Sequence, residues 1–442
     1  MIFRDIKHAK ETSEKVYCFI DDNENKWGRY IDDVPVFGGR ERIMEAVAKF
    51  GIEKIYVAIP SAKPEDKREI LRVCNETNCE LMNLPGMYQL YTGEVSVSKM
   101  KPVQIEDLLG RDPIKTDMDE VFRYITGKVV LVTGVGSIGS ELARQIAAHD
   151  PKHLILFDIY ENNAYELQME LQFRYPKLDL IVLIGSVRDE KRVMTIFRKY
   201  RPEIIFHAAA HKHVPLMETS PGEAVKNNII GTFHIASASD KYHASKMILI
   251  STDKAVRPTN VMGASKRICE MIIQEFSQKS RTDYAAVRFG NVMGSNGSVI
   301  PLFEKQIAHG GPVTVTHPDM TRYFMTIPEA VTLVLQAAAF AKGGEIFILD
   351  MGEPVHILEL AKKMIRLAGL IPGQDIPIVF TGLRPGEKLY EELVIDKRHL
   401  NRTSNDKIFI CQQEPIDIFQ LKPKMKLLYH AAKEESSHDG PP

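Results

Sequence analysis

From residue 128 onward, short apolar runs alternate regularly with amphipathic stretches. The apolar runs are rich in Val, Ile and Leu and indicate buried strands, whereas the stretches between them repeat their apolar positions with helical spacing. Parallel strands need crossover connections, so the alternation predicts an α/β fold with a doubly wound parallel sheet and helices on both faces. The predicted strands are KVVLVTG (128–134), HLILFD (153–158), LIVLIG (180–185) and EIIFHAAA (203–210).

The chain before residue 128 and the chain after residue 287 follow other patterns. Two apolar runs, VYCFI and KIYVAI, flank the helical pattern RERIMEAVAKFG, which predicts a small βαβ unit. The last third is richer in Gly and Pro and breaks the alternation. The predicted divisions are an incomplete Rossmann-like N-terminal domain (1–86), a connector (87–126), a Rossmann domain (127–287), a small C-terminal substrate domain interleaved with the sheet (288–400), an extension (401–432) and a disordered tail (433–442).

Composition narrows the class of protein but does not identify a ligand. The 442 residues are 44% hydrophobic and 26% charged, and the net charge of -1 gives no electrostatic reason to expect nucleic acid or a membrane surface as partner. Five cysteines without paired spacing predict reduced thiols, a cytoplasmic location and no zinc site. No apolar run reaches the roughly 18–20 residues that span a bilayer, so the chain as given is expected to be soluble.

A glycine-rich loop follows the first strand of the alternating region. The sequence GVGSIG lies between strand and helix, where glycines let the backbone approach a pyrophosphate at the helix N-terminus. The next strand ends in Asp158, 19 residues after Gly139, and an acid there can bind both ribose hydroxyls, which favours NAD over NADP. The three alanines of HAAAH would let a flat ring or ribose lie close. The predicted cofactor residues are Gly134, Gly136, Ser137, Ile138, Gly139, Asp158, Ala208, Ala209 and Ala210.

Three histidines, His207, His211 and His213, follow the fourth predicted strand. No acid or cysteine accompanies them, so no metal site is predicted, and contact with substrate or with the core is the preferred interpretation. In the nearby segment KNNIIGT, Asn227 and Asn228 are interpreted as a helix cap or a structural amide.

The stretch ISTDKAVRPTNVMGASKR (250–267) has the outline of a nicotinamide-dehydrogenase active site, with a hydroxyl residue after a strand and a helix that carries Lys266. Met262 stands four residues before that lysine, where a proton-accepting tyrosine is expected. A thioether has no exchangeable proton, so Met262 cannot deprotonate a sugar hydroxyl. It is expected either to pack against substrate or nicotinamide, or to belong to the core.

Together, motifs spread over roughly residues 10–400 resemble the bacterial UDP-N-acetylglucosamine 4,6-dehydratases of polysaccharide and protein-glycan biosynthesis, which are extended short-chain dehydrogenases/reductases. The motifs are TGVGSIGSE, FDIYENN, HAAAHKHVPLME, KNNIIGT, STDKAVRPTNVMGASK, RFGNVMGSNGSVIP, MTRYFMTIPEA and LRPGEKLYEEL. Methionine before GASK is similar to the long, membrane-anchored branch. Because long members begin earlier, the chain is expected to be truncated at its N-terminus.

The resemblance implies NAD as cofactor, a UDP-sugar as substrate, retention at C5, and a homo-oligomer. It assigns the C6-hydroxyl acid to Asp253, the C5 base to Lys254, O4 contact to Thr252 and the nicotinamide ribose to Lys266. The glycine loop is one residue shorter than in the family, and Ser186 replaces a common aspartate. The further residues that it implies are Ser186 and Val187 for the cofactor and Lys212, His213, Arg288, Asn291, Ser298, Arg322, Arg384 and Glu387 for the substrate.

Two other functions are also compatible with the sequence. A nucleotide-sugar 4-epimerase shares the fold and the cofactor but needs no acid for C6. A non-catalytic protein that binds NAD and a nucleotide sugar is the second alternative, because the glycine loop is shortened and the N-terminal domain is incomplete.

Overall fold

The computed structural model describes residues 14–59, 62–77, 79–83, 101–103, 105–109, 119–394, 400–411 and 418–438, together with Phe3 and Ile6. The chain forms two compact units. The small unit comprises Met1–Asp112, Val299–Pro318 and Ile357–Thr381, and the large unit comprises Pro113–Ser298, Asp319–His356 and Gly382–Pro442. Parts of the predicted substrate region (299–318 and 357–381) thus lie in the small unit.

Strands are numbered in chain order. They are β1 (Phe19–Ile20), β2 (Tyr30–Ile31), β3 (Val34–Gly38), β4 (Lys54–Val57), β5 (Glu80–Asn83), β6 (Lys101–Pro102), β7 (Val129–Thr133), β8 (His153–Asp158), β9 (Leu180–Ile184), β10 (Ile204–His207), β11 (Lys246–Ile250), β12 (Asp283–Arg288), β13 (Asn291–Val292), β14 (Val313–Val315), β15 (Thr321–Arg322), β16 (Phe324–Met325), β17 (Ile346–Leu349), β18 (Val355–His356), β19 (Ile378–Phe380), β20 (Leu400–Arg402) and β21 (Ile408–Cys411).

Helices are numbered in the same way. They are α1 (Ile43–Phe50), α2 (Pro64–Glu76), α3 (Ile105–Leu109), α4 (Asp119–Ile125), α5 (Ser137–Ala147), α6 (Glu161–Arg174), α7 (Glu190–Tyr200), α8 (Val214–Thr219), α9 (Pro221–Ala224), α10 (Gly231–Lys241), α11 (Val261–Ser277), α12 (Val299–Ala308), α13 (Ile327–Phe340), α14 (Ile357–Leu367) and α15 (Ile418–His438). Val225–Ile230 is π-helical and Asp253–Ala255 is a 3₁₀ turn.

In its described part, the large unit contains a nine-stranded sheet in the order β20-β21-β17-β12-β11-β10-β7-β8-β9. The seven strands β17, β12, β11, β10, β7, β8 and β9 run parallel. At the β17 edge, β21 pairs antiparallel with β17, and β20 pairs antiparallel with β21. This arrangement confirms the predicted doubly wound fold. The strand order reverses between β7 and β10, and ligands of such sheets bind at the carboxyl ends of the strands at this switch point.

Alternating side chains of the central strands build a core on each face of the sheet. Val130 and Val132 of β7 belong to one buried cluster, and Val129 and Leu131 of the same strand belong to the other. Both faces of a parallel strand are covered by helices, which is why every residue of β7 is buried and its first four are apolar instead of alternating. The two cores fix the ends of β7, β10 and β11, where the candidate site lies.

The small unit contains a hairpin that the sequence pattern did not reveal. Strands β2 and β3 pair antiparallel, and both residues between them, Asp32 and Asp33, have positive φ values of 46° and 69°. Two left-handed residues in succession form the turn that matches the twist of a two-residue hairpin. Strand β1 pairs with β3, and β4 pairs with β5. The segments VYCFI and KIYVAI therefore do not pair with each other, as the predicted βαβ unit would require.

Several predictions concern residues at the margins of the described chain. Residues 1–2, 4–5, 7–13, 60–61, 78 and 84–86 of the predicted N-terminal domain lie outside the described residues. So do residues 87–100, 104 and 110–118 of the predicted connector. Helix α15 extends through residues 433–438 of the predicted tail, and residues 439–442 lie outside the described residues. Within the described ranges, no helix combines the length and the apolar character needed to cross a bilayer.

Candidate active site

The glycine loop between β7 and α5 is shaped by close contacts with its neighbours. Gly134 has a φ of +80°, and a Cβ there would lie 2.5 Å from the Cα of Ala209. A Cβ on Gly139 would lie 1.7 Å from the carbonyl oxygen of Gly134. A Cβ on Gly136 would meet nothing within 4 Å, so the middle glycine faces open space at the N-terminus of α5.

Asp158 closes the shortened loop. Its Oδ2 accepts a hydrogen bond of 2.5 Å from the Val135 backbone N–H, and its Oδ1 accepts one of 2.7 Å from the Tyr160 N–H. A carboxylate has about four acceptor sites, so these two bonds leave capacity for ribose hydroxyls. Ser137 Oγ accepts from the Asn296 N–H at 3.3 Å, and Ile138 packs against the core. The structure therefore brings the predicted loop residues and Asp158 together.

The other predicted cofactor residues follow β9 and β10. Ser186 Oγ accepts from the Arg188 N–H at 3.2 Å, and Val187 is buried in the core beside Gly231. Ala208, Ala209 and Ala210 directly follow β10 and are partly buried, with Ala209 against the glycine loop. Ser186 and Val187 lie at the carboxyl end of β9, and the three alanines lie at the carboxyl end of β10, next to the switch point.

His207 belongs to the core. Its Nδ1 lies 2.7 Å from Thr133 Oγ1 and its Nε2 lies 3.0 Å from Thr232 Oγ1. Burial, assisted by the charge of Lys266, lowers the pKa of His207 to about 3, so the ring is neutral. Of the alternatives for the three histidines, core contact thus applies to His207. The ring of His213 instead lies over the backbone of Gly297, where a Cβ would approach to 2.6 Å.

Lys266 lies on the second turn of α11 and is 6% exposed. Burial lowers the pKa of its ammonium group, although Cys269 and Glu270 oppose this effect. Among the described residues, no hydrogen bond to Lys266 Nζ is present. A buried cation is stable only with a polar partner, so this site fits a hydroxyl-bearing ligand.

Asn228 is a residue that the sequence indicated only as a helix cap or a structural amide. It lies in the π-helical segment, where its Oδ1 accepts from the His211 N–H at 2.8 Å. Its Nδ2 donates to the His211 carbonyl at 3.0 Å and to Ser265 Oγ at 2.9 Å. One amide therefore ties the chain after β10 to the residue that precedes Lys266.

Thr252, Asp253 and Lys254 converge where β11 ends. The 3₁₀ turn begins at Asp253, and it brings neighbouring side chains to the same side, which a straight strand cannot do. Thr252 Oγ1 donates to Asp253 Oδ1 at 2.8 Å, and Lys254 Nζ lies 3.1 Å from the same oxygen. Asp253 is 1% exposed, and its Oδ2 has no hydrogen-bond partner among the described residues.

Met262 packs in a small apolar cluster. The side chain is 3% exposed and lies with Met217 and Ala224 under the first turn of α11. This turn is capped by Asn260, whose Oδ1 accepts from the Gly263 N–H at 2.7 Å. The placement agrees with the core interpretation of Met262.

Two arginines predicted to bind substrate are bound by the protein. The Arg288 Nε and Nη2 donate to the two carboxylate oxygens of Glu270, both at 2.6 Å, and Arg288 is 3% exposed. The Arg322 guanidinium donates to the carbonyls of Thr321, Lys388 and Leu389. Arg288 thus forms a buried ion pair and Arg322 holds the RPGEK loop, while substrate contact by either arginine stays a prediction.

The remaining predicted substrate residues lie at the same edge of the large unit. Lys254 Nζ donates to Asn291 Oδ1 at 3.3 Å, and Lys212 Nζ donates to Ser295 Oγ at 3.4 Å, close to Ser298. Glu387 Oε1 lies 3.5 Å from Arg322 Nη2. Arg384 is exposed, and its guanidinium makes no hydrogen bond or ion pair with the residues that the structure describes.

Residues 130–413, more than half of the chain, match the family model described as "Polysaccharide biosynthesis protein". The chain belongs to this family. It is 49% identical over 398 residues to the capsular polysaccharide biosynthesis protein CapD of Staphylococcus aureus and 52% identical over 379 residues to the probable polysaccharide biosynthesis protein EpsC of Bacillus subtilis. These matches cover 89% and 85% of this chain but 66% and 63% of those relatives, so the chain spans less than two thirds of their length.

Other similar proteins extend the comparison. A UDP-glucose 4-epimerase of Rickettsia akari is 36% identical over 278 residues, which cover 61% of this chain and 78% of that protein. The structure of Pen from Bacillus thuringiensis aligns with a TM-score of 0.60 and 36% identity, over 66% of this chain and 90% of Pen. The NAD-bound dTDP-glucose 4,6-dehydratase DesIV of Streptomyces venezuelae aligns with a TM-score of 0.54 at 20% identity, over 60% and 87%, which shows a shared fold.

Proposed function

We propose that the protein catalyses the NAD-dependent 4,6-dehydration of UDP-N-acetylglucosamine, with retention at C5, to the 4-keto-6-deoxy sugar nucleotide. The observation that carries this proposal is the pair at the end of β11, where Lys254 Nζ lies 3.1 Å from the buried carboxylate of Asp253. Dehydration needs both a base and an acid beside one sugar. The membership of the chain in the polysaccharide biosynthesis family supports a nucleotide sugar as the substrate.

The residues at the switch point fit NAD. Gly136 leaves the space that a pyrophosphate needs at the N-terminus of α5, and Asp158 retains acceptor capacity for ribose hydroxyls. Lys266 offers a buried ammonium group to the nicotinamide ribose. When bound there, NAD would accept a hydride from the sugar C4 and return it to C6.

The chain's own residues handle the protons. Lys254, as the neutral amine, takes the proton from C5 once a ketone at C4 has made that proton acidic. Asp253, in its protonated form, gives its proton to the C6 hydroxyl as the C6–O bond breaks, so that water leaves. Thr252 contacts O4 from the end of β11, and the proton that O4 loses as C4 gives up its hydride passes toward Lys266 through the ribose hydroxyl. Met262 contributes packing but no proton transfer.

Arg384 is proposed to bind the diphosphate, because guanidinium groups make bidentate contacts with such groups. Arg384→Ala is expected to raise KM for UDP-N-acetylglucosamine about 10-fold or more while kcat changes little, since one charge-assisted contact is lost. Steady-state kinetics measure this change. Arg281→Ala, which removes another exposed arginine before β12 at the opposite edge of the sheet, is the matched control. An unchanged KM for Arg384→Ala would remove Arg384 from the substrate site.

The function itself is tested by incubating the purified full chain with UDP-N-acetylglucosamine and NAD and recording the product by mass spectrometry. The proposal expects a sugar nucleotide that has lost one water. A second candidate, a 4-epimerase, is favoured by the similarity to the Rickettsia akari protein. It would give a product of unchanged mass with inverted C4, and that result would replace the dehydratase proposal.

A further inference from the structure

A buried carboxylate that the sequence motifs did not single out faces Lys254. Glu391 follows the RPGEK loop, and its side chain is only 3% exposed. Its Oε1 lies 3.7 Å from Lys254 Nζ, and its Oε2 has no hydrogen-bond partner among the described residues. The next residue, Glu392, is 43% exposed and lies 3.6 Å from Arg257, so the two adjacent glutamates have different environments.

Glu391 is held in place from its other side. Arg322 Nη2 lies 4.0 Å from Glu391 Oε1, and the same guanidinium donates to the carbonyls of Lys388 and Leu389, just before Glu391. Lys388 in turn donates from Nζ to the Val256 carbonyl at 3.0 Å, at the end of the 3₁₀ turn. The loop that carries Glu391 is thus fastened both to β15 and to the turn that carries Lys254.

Three oxygen atoms surround the Lys254 amine. They are Asp253 Oδ1 at 3.1 Å, Asn291 Oδ1 at 3.3 Å and Glu391 Oε1 at 3.7 Å. An ammonium group has three donors, whereas a neutral amine has two N–H groups and one lone pair. The surroundings are therefore better matched to the ammonium group that Lys254 carries once it has accepted the C5 proton.

We propose that Glu391 is a positioning residue for Lys254: it directs the amine and stabilises the ammonium ion that Lys254 becomes when it takes the C5 proton. This inference rests on the proposed function. In the step concerned, the C5–H bond breaks and its proton bonds to Lys254 Nζ. The electron pair of that bond forms the C5–C6 double bond, and the C6–O bond breaks as the leaving oxygen takes the proton of Asp253. Glu391 itself exchanges no proton with the sugar.

Charged groups of both signs surround Glu391. Burial raises the pKa of Glu391 above its ordinary value and Asp253 adds to this effect, whereas Lys254, Arg322 and Lys388 oppose it. A negative charge beside a lysine that is becoming positive stabilises the transition state, because the attraction is strong where water is excluded.

The test compares Glu391→Gln with the wild type and with Glu392→Gln, the same substitution at the adjacent exposed position. For Glu391→Gln we expect kcat to fall roughly 10–100-fold with little change in KM, since a misdirected base costs about that much. The isotope effect on kcat with substrate deuterated at C5 should increase. Glu392→Gln should match the wild type.

The outcomes separate this inference from the proposed function. If the wild type releases no water from UDP-N-acetylglucosamine, the proposed function fails, and the inference fails with it. If the wild type is active, the inference is overturned by a wild-type kcat in Glu391→Gln. A lower kcat without a larger isotope effect would equally overturn it, by showing a structural role alone. Should Glu391→Gln not fold, Glu391→Asp is used. The shorter side chain keeps the carboxylate but places it farther from Lys254, and a wild-type kcat in this variant also overturns the inference.

Discussion

Lys254→Arg is expected to remove more than about 99.9% of the dehydration of UDP-N-acetylglucosamine, a loss at the upper end of the range for a general base. Arginine can still donate to Asp253 and Glu391, but it is always protonated, so it cannot take the C5 proton. The melting temperature should therefore stay close to that of the wild type. Mass spectrometry of the sugar nucleotide and a thermal melt measure the two effects on the same preparation.

The control for this variant is Lys128→Arg. Lys128 pairs with Glu203 at 2.8 Å immediately before β7, at the edge of the sheet opposite the site, so the same substitution there should leave activity unchanged. Solvent deuterium offers a second measurement, because the wild type should introduce deuterium at C5 and Lys254→Arg should not. Retention of substantial dehydration by Lys254→Arg would show that another group takes the C5 proton and would assign Lys254 to charge balance.

The parts of the site that were predictable from the sequence are those set by backbone geometry. The apolar runs of β7 and β10 fix where these strands end, and GVGSIG follows the first of them. Gly134 and Gly139 are needed because any Cβ there would collide with the backbone of Ala209 or of Gly134 itself. Such constraints act within a few residues or between adjacent strands, so a single sequence expresses them.

The direction in which long side chains point was harder to predict from the sequence. The motif RFGNV does not tell whether Arg288 points to a ligand or to the protein, and its partner Glu270 lies on a different element, α11. Likewise LYEEL contains two glutamates, and only the fold shows that Glu391 is buried beside Lys254 whereas Glu392 is exposed. Glu270 follows Cys269 and lies three residues before Ile273, both apolar residues of α11, and an acid at such a position is a sequence signal that could have indicated a buried pair.

Burial of the Glu270–Arg288 pair determines the energetic cost of breaking it. Glu270 is fully buried and also accepts from Ser251 Oγ at 2.7 Å and from Arg267 Nη1 at 3.0 Å. Burial acts to raise the pKa of Glu270, but the hydrogen bonds and charge of Arg288 outweigh it and hold this pKa below its ordinary value. A carboxyl of lowered pKa stabilises the fold above its unfolded pKa, and this contribution is lost as pH falls through the folded pKa.

Arg288→Met should therefore lower the free energy of unfolding by about 3–5 kcal/mol at neutral pH, since it leaves a buried carboxylate without its main partner. The deficit, measured by urea unfolding, should shrink on acidification as Glu270 becomes protonated in the wild type. Adding Glu270→Leu to Arg288→Met should recover most of the stability, because the unpaired charge is removed.

The KM of the folded Arg288→Met variant for UDP-N-acetylglucosamine should match that of the wild type. A large increase in KM without loss of stability would instead return Arg288 to the substrate site, because an arginine that binds only Glu270 affects the substrate solely through the fold.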